Sequence, residues 1–528
     1  NKMVFKGNIE RISDNEVCIR LRATQQNAGV LPAASLYAIE HDYMDTSFRS
    51  MYLGLSAFLS ATQRRRDLLL GQRPPEFDAS LDTGIATAPD DFSRIILKAQ
   101  AARDYFLLIG PPGTGKTSRA LRGMVEAFYR EGKQILLLSY TNRAVDEISK
   151  ALASIEPEID FIRLGSELSC DDSFRPYLIE NVLESCATRR QVQERIARCR
   201  VFVGTVATLS SKTELFRLKT FDVAIVDEAT QILEPQLLGL LCTRNPAGAD
   251  AIGKFILIGD HKQLPAVVLQ SSEQSEVCDE ALQAIGLYNL KDSLFERLYR
   301  NLSKESANRQ ASTSHSSSFI PHPSYDMLCR QGRMNIEVAL FPNRAFYGGL
   351  LEPVGLPHQQ GELILAPELC DCEFAGLLTP PAQSAKMNHS EARIVARLAA
   401  AIYRQYAAVS GFNPAVTLGV ITPYRSQIAL IKKEIAALGI APLEDILVDT
   451  VERFQGSERD VIIYSFCVNR AYQLKFLANM TEENGTRIDR KLNVALTRAR
   501  RQMFMTGVPQ LLKLNPIYAE LLSVVCHS

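Results

Sequence analysis

The sequence has no surplus of charge of either sign: Lys plus Arg number 59 and Asp plus Glu number 59 among 528 residues. No global field draws the chain to nucleic acid, so any such partner has to be held by a local groove. It has no apolar stretch long enough to span a bilayer and no secretory signal at its start, so no membrane partner is expected. Cysteine is present without a pairing pattern. The eleven residues are scattered, and only Cys370 and Cys372 stand close together. One C-x-C without a second pair is weak evidence for a metal site, and a reduced, intracellular setting fits best: cytoplasmic in a bacterium, nuclear or cytoplasmic in a eukaryote. The first residue is Asn1 rather than Met, which suggests a piece of something longer.

What is present fills more than one hydrophobic core. A chain of 528 residues with 46% hydrophobic content is expected to divide into about two to four domains. Residues 1–33 alternate apolar and polar (Val4, Phe5, Ile9, Ile12, Val17, Ile19, Leu21) and predict a small β-barrel or sheet. Residues 34–72 read as helix, so 1–78 is expected to be a barrel with linking helices. The run Arg64-Arg65-Arg66 suits a solvated helix face or a nucleic-acid contact. From about residue 94, apolar runs at 105–109, 135–138, 201–203, 222–226 and 255–258 alternate with helical stretches. That pattern predicts an α/β lobe with a parallel sheet over 79–290, carrying a polar helical insertion at about 166–198. Residues 303–318 are low in complexity and predict a mobile loop. A second alternation, with runs at 416–421, 446–448, 461–466 and 503–506, predicts another α/β lobe over 291–528 and hence a cleft.

The chemistry concentrates after the strand ends. Residues 110–117 read Gly-Pro-Pro-Gly-Thr-Gly-Lys-Thr between an apolar strand and a helix, the setting that a phosphate-binding loop requires. Gly110, Gly113 and Gly115 let the backbone of Gly110, Pro111, Pro112, Gly113, Thr114 and Gly115 wrap phosphate oxygens. Lys116 would face the β- and γ-phosphates and Thr117 would ligate Mg²⁺. The strand at 222–226 ends in Asp227-Glu228. Asp227 is expected to hold the metal ion, and Glu228 to orient or deprotonate the attacking water. After the next strand, Gln263 offers a neutral amide that could report a γ-phosphate by one hydrogen bond. Ser139, Thr141, Asn142, Thr205, Thr208, Thr422 and Thr450 follow strands and could bind nucleic-acid phosphates without reading bases. Each taken singly also suits a helix cap.

Together, Asp-Glu-Ala-Thr-Gln at 227–231, Gly-Asp-His-Lys-Gln-Leu-Pro at 259–265, Gln-Gly-Arg-Met at 331–334, Thr-Pro-Tyr-Arg-Ser-Gln at 422–427, Thr-Val-Glu-Arg-Phe-Gln-Gly-Ser-Glu at 450–458 and Asn-Val-Ala-Leu-Thr-Arg-Ala-Arg at 493–500 stand in a fixed order. This series resembles superfamily 1 helicases of the group containing the nonsense-mediated decay helicase and the eukaryotic replication nuclease-helicase. The resemblance implies two RecA-like lobes and an ATP-dependent helicase or translocase moving 5′→3′ on single strands and forks, with DNA favoured over RNA. It implies that Arg333 and Arg498 reach the γ-phosphate from the second lobe and that Glu458 binds the ribose. A monomer, with an upstream nuclease domain or a protein partner, is the expected assembly. An RNA helicase and an ATPase that remodels protein–nucleic acid complexes without unwinding are the alternatives. Two positions depart from the family pattern. The glutamine that reads adenine has no counterpart at Ser93-Arg94, with Gln100 out of register, and Gly332 replaces a stacking aromatic. Strict ATP preference therefore loses two supports, for which Tyr424 is expected to compensate in part.

Overall fold

The computed structural model describes residues 5, 7–13, 15–21, 36–39, 47–268, 270–271, 273–312, 322–360, 374–483 and 485–527. Residues 1–49 and 50–528 form separate compact units. In the first, β1 (Gly7–Ile12) pairs antiparallel with β2 (Val17–Leu21), its register broken between Ile9 and Arg11. Ile9, Ile12, Val17 and Ile19 are exposed on this hairpin. The described residues thus hold a hairpin where a barrel was expected, and much of the remaining barrel segment (22–33) lies outside them.

The second unit contains both α/β lobes. The first sheet comprises β3 (Tyr105–Ile109), β4 (Ile135–Ser139), β5 (Phe161–Leu164), β6 (Val201–Thr205), β7 (Phe221–Asp227), β8 (Ile252–Gly259) and β9 (Tyr325–Met327). Its order is β5-β6-β4-β7-β8-β3-β9, with every pair parallel. The strands are apolar on both faces because helices cover both. Leu107 and Ile109 point into one core while Phe106 and Leu108 point into the other. Next come β10 (Arg330–Gln331) and β11 (Glu352–Pro353), a short parallel pair. The second sheet is built from β12 (Phe374–Leu378), β13 (Leu418–Ile421), β14 (Leu447–Asp449) and β15 (Arg459–Ser465). After the antiparallel hairpin β16 (Met480–Glu483) and β17 (Thr486–Asp489), it is completed by β18 (Ala499–Gly507) and β19 (Cys526–His527). Its order is β14-β13-β15-β18-β12-β19, again parallel.

The structure moves the division between lobes. Leu294, Phe295, Leu298 and Leu302 pack into the first lobe's core from the helix Leu294–Ser312, and β9 pairs with β3. The boundary placed at 290 therefore falls too early. The loop expected at 303–318 begins inside that helix, whose sequence there contains neither Gly nor Pro; residues 313–321 lie outside those described. The insertion between β5 and β6 consists of turns and short helices ending in Arg189–Arg198, whose start is closed by a Thr188/Gln191 capping box. The arginine run is not a uniform solvated face. Arg65 is 4% exposed and donates to Asp250 at 3.2 Å and to the carbonyls of Ile252 and Gly253 at 2.5 and 3.0 Å, anchoring β8.

Candidate active site

Strand β3 delivers the phosphate loop to the C-terminal edge of the first sheet. The Gly110 amide donates to the Gly259 carbonyl at 2.9 Å, tying the loop to β8. Gly113 and Gly115 take φ of +73° and +78°, left-handed conformations that favour glycine. The helical run then starts at Lys116, its first turn wound as a π-helix over Lys116–Leu121 before Arg122–Arg130 continues as α-helix. Thr114 folds back onto the Pro111 carbonyl at 2.7 Å.

Two strands away, β7 brings its acids to the same place. Lys116 Nζ lies 2.5 Å from Glu228 Oε1, and Thr117 Oγ1 donates to Asp227 Oδ2 at 2.6 Å. Glu228 itself has φ +54°, a left-handed backbone that is costly for a residue with a Cβ. Its amide donates to Asp227 Oδ1 at 2.9 Å, and Gln231 donates to its other oxygen at 2.9 Å. Burial and the adjoining Glu228 push the Asp227 carboxyl above its ordinary range, although Lys116 opposes this. At Glu228 burial also acts upward, but the charge and hydrogen bond of Lys116, with Gln231 and Arg498, together outweigh it and hold the carboxyl low.

The second lobe completes the cavity, which measures about 2070 Å³. Arg498 Nη2 donates to Gln263 Oε1 at 3.2 Å, while Gln263 Nε2 donates to Asp260 at 2.8 Å. Burial, then the neighbouring Arg333, pushes the Arg498 guanidinium down to about 9, as expected of a cation placed where an anion would relieve it. Arg333 Nε donates to Glu458 at 2.6 Å, and the amide of Gly332 donates to the Gly113 carbonyl at 2.9 Å. Burial raises Glu458, but Arg333 together with Arg500 and Arg498 outweighs it and the net displacement is downward. Lys116, Thr117, Asp227, Glu228, Gln263, Arg333, Glu458 and Arg498 thus line one cavity, together with Pro111, Pro112, Gly113, Thr114 and Gly115.

Tyr424 is not brought there. It caps the helix Arg425–Ala436 beyond the C-terminal end of β13, where Gln473 donates to its hydroxyl at 2.8 Å. The cavity instead receives Glu458, Arg459, Arg498 and Arg500 from the N-terminal ends of β15 and β18. In a parallel sheet, Tyr424 consequently faces the opposite edge. The nucleic-acid candidates divide as well. Ser139 and Thr422 are fully buried, and Ser139 donates to the Asp227 carbonyl at 3.1 Å. Thr141 and Thr205 cap helices, accepting from the amides of Ala144 at 3.2 Å and Thr208 at 3.1 Å. Asn142, Thr208 and Thr450 are partly accessible. Register places Ser139 beside Thr205, and the Thr422 amide meets the Asp449 carbonyl at 3.1 Å, so the candidates cluster within each lobe.

Sequence reasoning missed two parts of the cavity. Phe92 lines it with the Arg119 guanidinium 4.0 Å over its ring, one residue before the departed adenine register. Arg94 is instead paired with Asp326 at 3.0 Å, and Gln100 with Glu131. Where the family aromatic would stand, a side chain on Gly332 would meet Leu356 and Val354, both in the cavity wall. The Cys370–Cys372 pair lies outside the described residues.

Two family models, each described as an AAA domain, match residues 90–196 and 178–271 in one case and residues 290–510 in the other. Together with the phosphate loop, the acid pair and the two arginines on one cavity, they place the chain among the superfamily 1 helicases. Within them it is similar to the DNA replication ATP-dependent helicase/nuclease DNA2 of Mus musculus, 28% identical over 558 residues that cover 97% of this chain and 46% of the relative. The corresponding protein JHS1 of Arabidopsis thaliana is 28% identical over 519 residues, covering 93% and 34%. The chain thus spans half or less of the length of these curated relatives. The likeness to a solved arterivirus helicase, nonstructural protein 10 in complex with DNA, is slighter: TM-score 0.38 at 14% identity, over 80% of this chain and 65% of that one.

Proposed function

We propose that the chain hydrolyses ATP and uses the cycle to move 5′→3′ along single-stranded DNA, separating strands at forks. The observation that carries this is the contact between Arg498 of the second lobe and Gln263 of the first, at 3.2 Å within the cavity that holds the phosphate loop. A triphosphate seated on Lys116 would place its terminal phosphate between the lobes. Arg333 and Arg498 would then neutralise charge on the equatorial oxygens, and Glu228 would orient the attacking water and accept its proton. Gln263, bonded to both Asp260 and Arg498, would pass the presence of that phosphate to the second lobe. Hydrolysis and product release then alter the contacts that close the cleft, which is how a chemical step becomes displacement.

Mg²⁺ fits the donors present. The Thr117 hydroxyl and the Asp227 carboxylate are hard oxygens already 2.6 Å apart beside the phosphate loop. Thr117 and Asp227 would hold the ion, and it would supply charge neutralisation to the phosphates. A DNA preference draws support from the relatives named as DNA replication helicase/nucleases, while the 5′→3′ polarity rests on the motif resemblance alone. The test is ATPase stimulation and unwinding on DNA and RNA forks bearing either a 5′ or a 3′ overhang. Unwinding of 5′-tailed DNA forks is expected. Unwinding from 3′ tails alone would overturn the polarity, preference for RNA would overturn the substrate, and stimulated ATPase without strand separation would favour a remodelling enzyme.

A further inference from the structure

The segment between β15 and β16 separates its faces sharply. Leu474 and Leu477 are buried at 9% and 3% exposure, whereas Tyr472 and Phe476 stand out at 57% and 67%. Their ring centroids are 6.4 Å apart at 85°, and Lys475 is exposed on the same turn. Two adjoining rings in water make a contiguous apolar patch, which carries more information than a single exposed side chain.

The support beneath them is rigid. Buried Gln473 accepts from the amides of Asn469 and Arg470, both at 2.9 Å, and donates to the Ala385 carbonyl at 2.5 Å and to the Tyr424 hydroxyl at 2.8 Å. Asn388 donates to Asn469 at 3.0 Å, and the Arg470 guanidinium spans the carbonyls of Ala382 and Gln383 at 3.0 and 2.8 Å. The turn that carries the rings is therefore fixed before any ligand arrives.

Their location selects the ligand. The segment follows the C-terminal end of β15, beside β13, from which Thr422 and Tyr424 hang. The triphosphate-facing groups occupy the N-terminal ends of the same strands, about 20 Å away along a seven-residue strand. The ring pair thus shares the C-terminal edge of the second sheet with the accessible nucleic-acid candidate Thr450. Two rings also offer far less area than a stable protein interface requires.

We propose that Tyr472 and Phe476, with Lys475, form a stacking platform for the unpaired bases of a single strand passing along this edge of the second lobe. The proposal rests on the reading of the chain as a nucleic-acid motor and adds to it a grip on bases. Every base has a π-face, so a stacked base is held regardless of its identity, while Lys475 supplies charge for the adjoining phosphate. Because the rings stand nearly perpendicular, a base flat on one meets the edge of the other.

The test uses the full chain with Tyr472→Ala and Phe476→Ala combined, and fluorescence anisotropy on a labelled oligothymidylate and on an abasic strand of equal length. The parent should bind the base-bearing strand more tightly. The double variant should lose about tenfold or more on that strand, with abasic affinity and nucleic-acid-independent ATPase unchanged. Tyr472→Phe with Phe476→Tyr should restore binding, which also separates stacking from any folding defect of the alanine pair. Equal affinity of parent and alanine variant for the oligothymidylate would overturn the platform and leave the motor reading standing. An equal loss on both strands would also overturn it, because stacking requires bases. Failure of the parent to bind either strand would overturn both.

Discussion

Lys116 and Glu228 form an ion pair 2.5 Å long that an arriving triphosphate has to rearrange, because Lys116 cannot serve carboxylate and phosphate equally. Glu228→Gln removes the negative charge facing the incoming phosphates while keeping the side chain's shape. ATP affinity is therefore expected to hold or rise, while kcat falls by about a hundredfold or more because the water loses its proton acceptor. Titration with a fluorescent ATP analogue beside steady-state ATPase separates the two effects, and parental turnover would remove Glu228 from its role. Gly332 leads to a second expectation. With Leu356 and Val354 in place of a stacking aromatic, and Arg94 committed to Asp326, the base meets a wall with little power to reject alternatives. GTP should then be turned over with kcat/KM within about tenfold of ATP, since discrimination by apolar contact is small compared with that by hydrogen bonding. A preference for ATP of several thousandfold would show that another group, such as Phe92 with Arg119, reads the base.

The long helix His389–Val409 fastens to the second sheet through one buried carboxyl. Glu391 Oε2 accepts from Ser465 at 2.6 Å, the Cys467 amide at 3.0 Å and Thr506 at 3.2 Å, joining the helix to the ends of β15 and β18. Burial overrides these donors and pushes the carboxyl up to about 7 from 4.5. The folded state therefore holds a proton that the unfolded chain releases. Stability from this group is fullest below about pH 4.5, falls as pH rises to about 7, and is level above that. The swing is of order 3 kcal/mol. Glu391→Gln should flatten this part of the profile and raise stability at pH 8, as denaturant melts across pH would register; an unchanged slope would assign it to other groups. At this scale the sequence was readable where strands are apolar on both faces, as in β3, β4 and β7. It was silent for β5, where Arg163 is buried against Asp146, and for β9, whose three residues carry an aspartate paired with Lys98 at 2.9 Å. Hydrophobic runs cannot announce a strand whose polar residue is neutralised by a distant partner. The cavity residues were legible because turns after strands display them in sequence order. Tyr424 was misplaced because motif order does not say which end of a strand faces the nucleotide.

The lobes are held together by contacts beyond those aimed at the triphosphate. Tyr347 donates to Asp260 at 2.7 Å, Asn493 reaches the Lys262 carbonyl at 2.7 Å, and His261 lies 3.0 Å from Glu483 of the β16–β17 hairpin. A charged link joins Arg490 to Glu296, and with it the helix that closes the first lobe to the helix Arg490–Leu496, which leads directly to Arg498. Burial would raise Glu296, but Arg490, the Ser293 donors and His261 together outweigh it and the carboxyl stays below its ordinary range. The pair's contribution is therefore present above about pH 4.5 and fades as the solution becomes more acid. Arg490→Ala leaves that carboxylate buried and unpaired, which is expected to cost about 3–5 kcal/mol near neutral pH and less in acid. Glu296→Gln combined with Arg490→Met removes both charges and should recover most of the loss. The two variants also separate stability from coupling. If the pair only supports the fold, the double variant should recover nucleic-acid-stimulated ATPase along with its melting temperature. If the pair sets how Arg498 approaches the cavity, the melting temperature should return while stimulation stays low, because the neutral replacements restore packing without restoring the register between the two helices. The second outcome is expected, since the helix that carries Arg490 ends two residues before Arg498, the arginine proposed to neutralise charge on the phosphate.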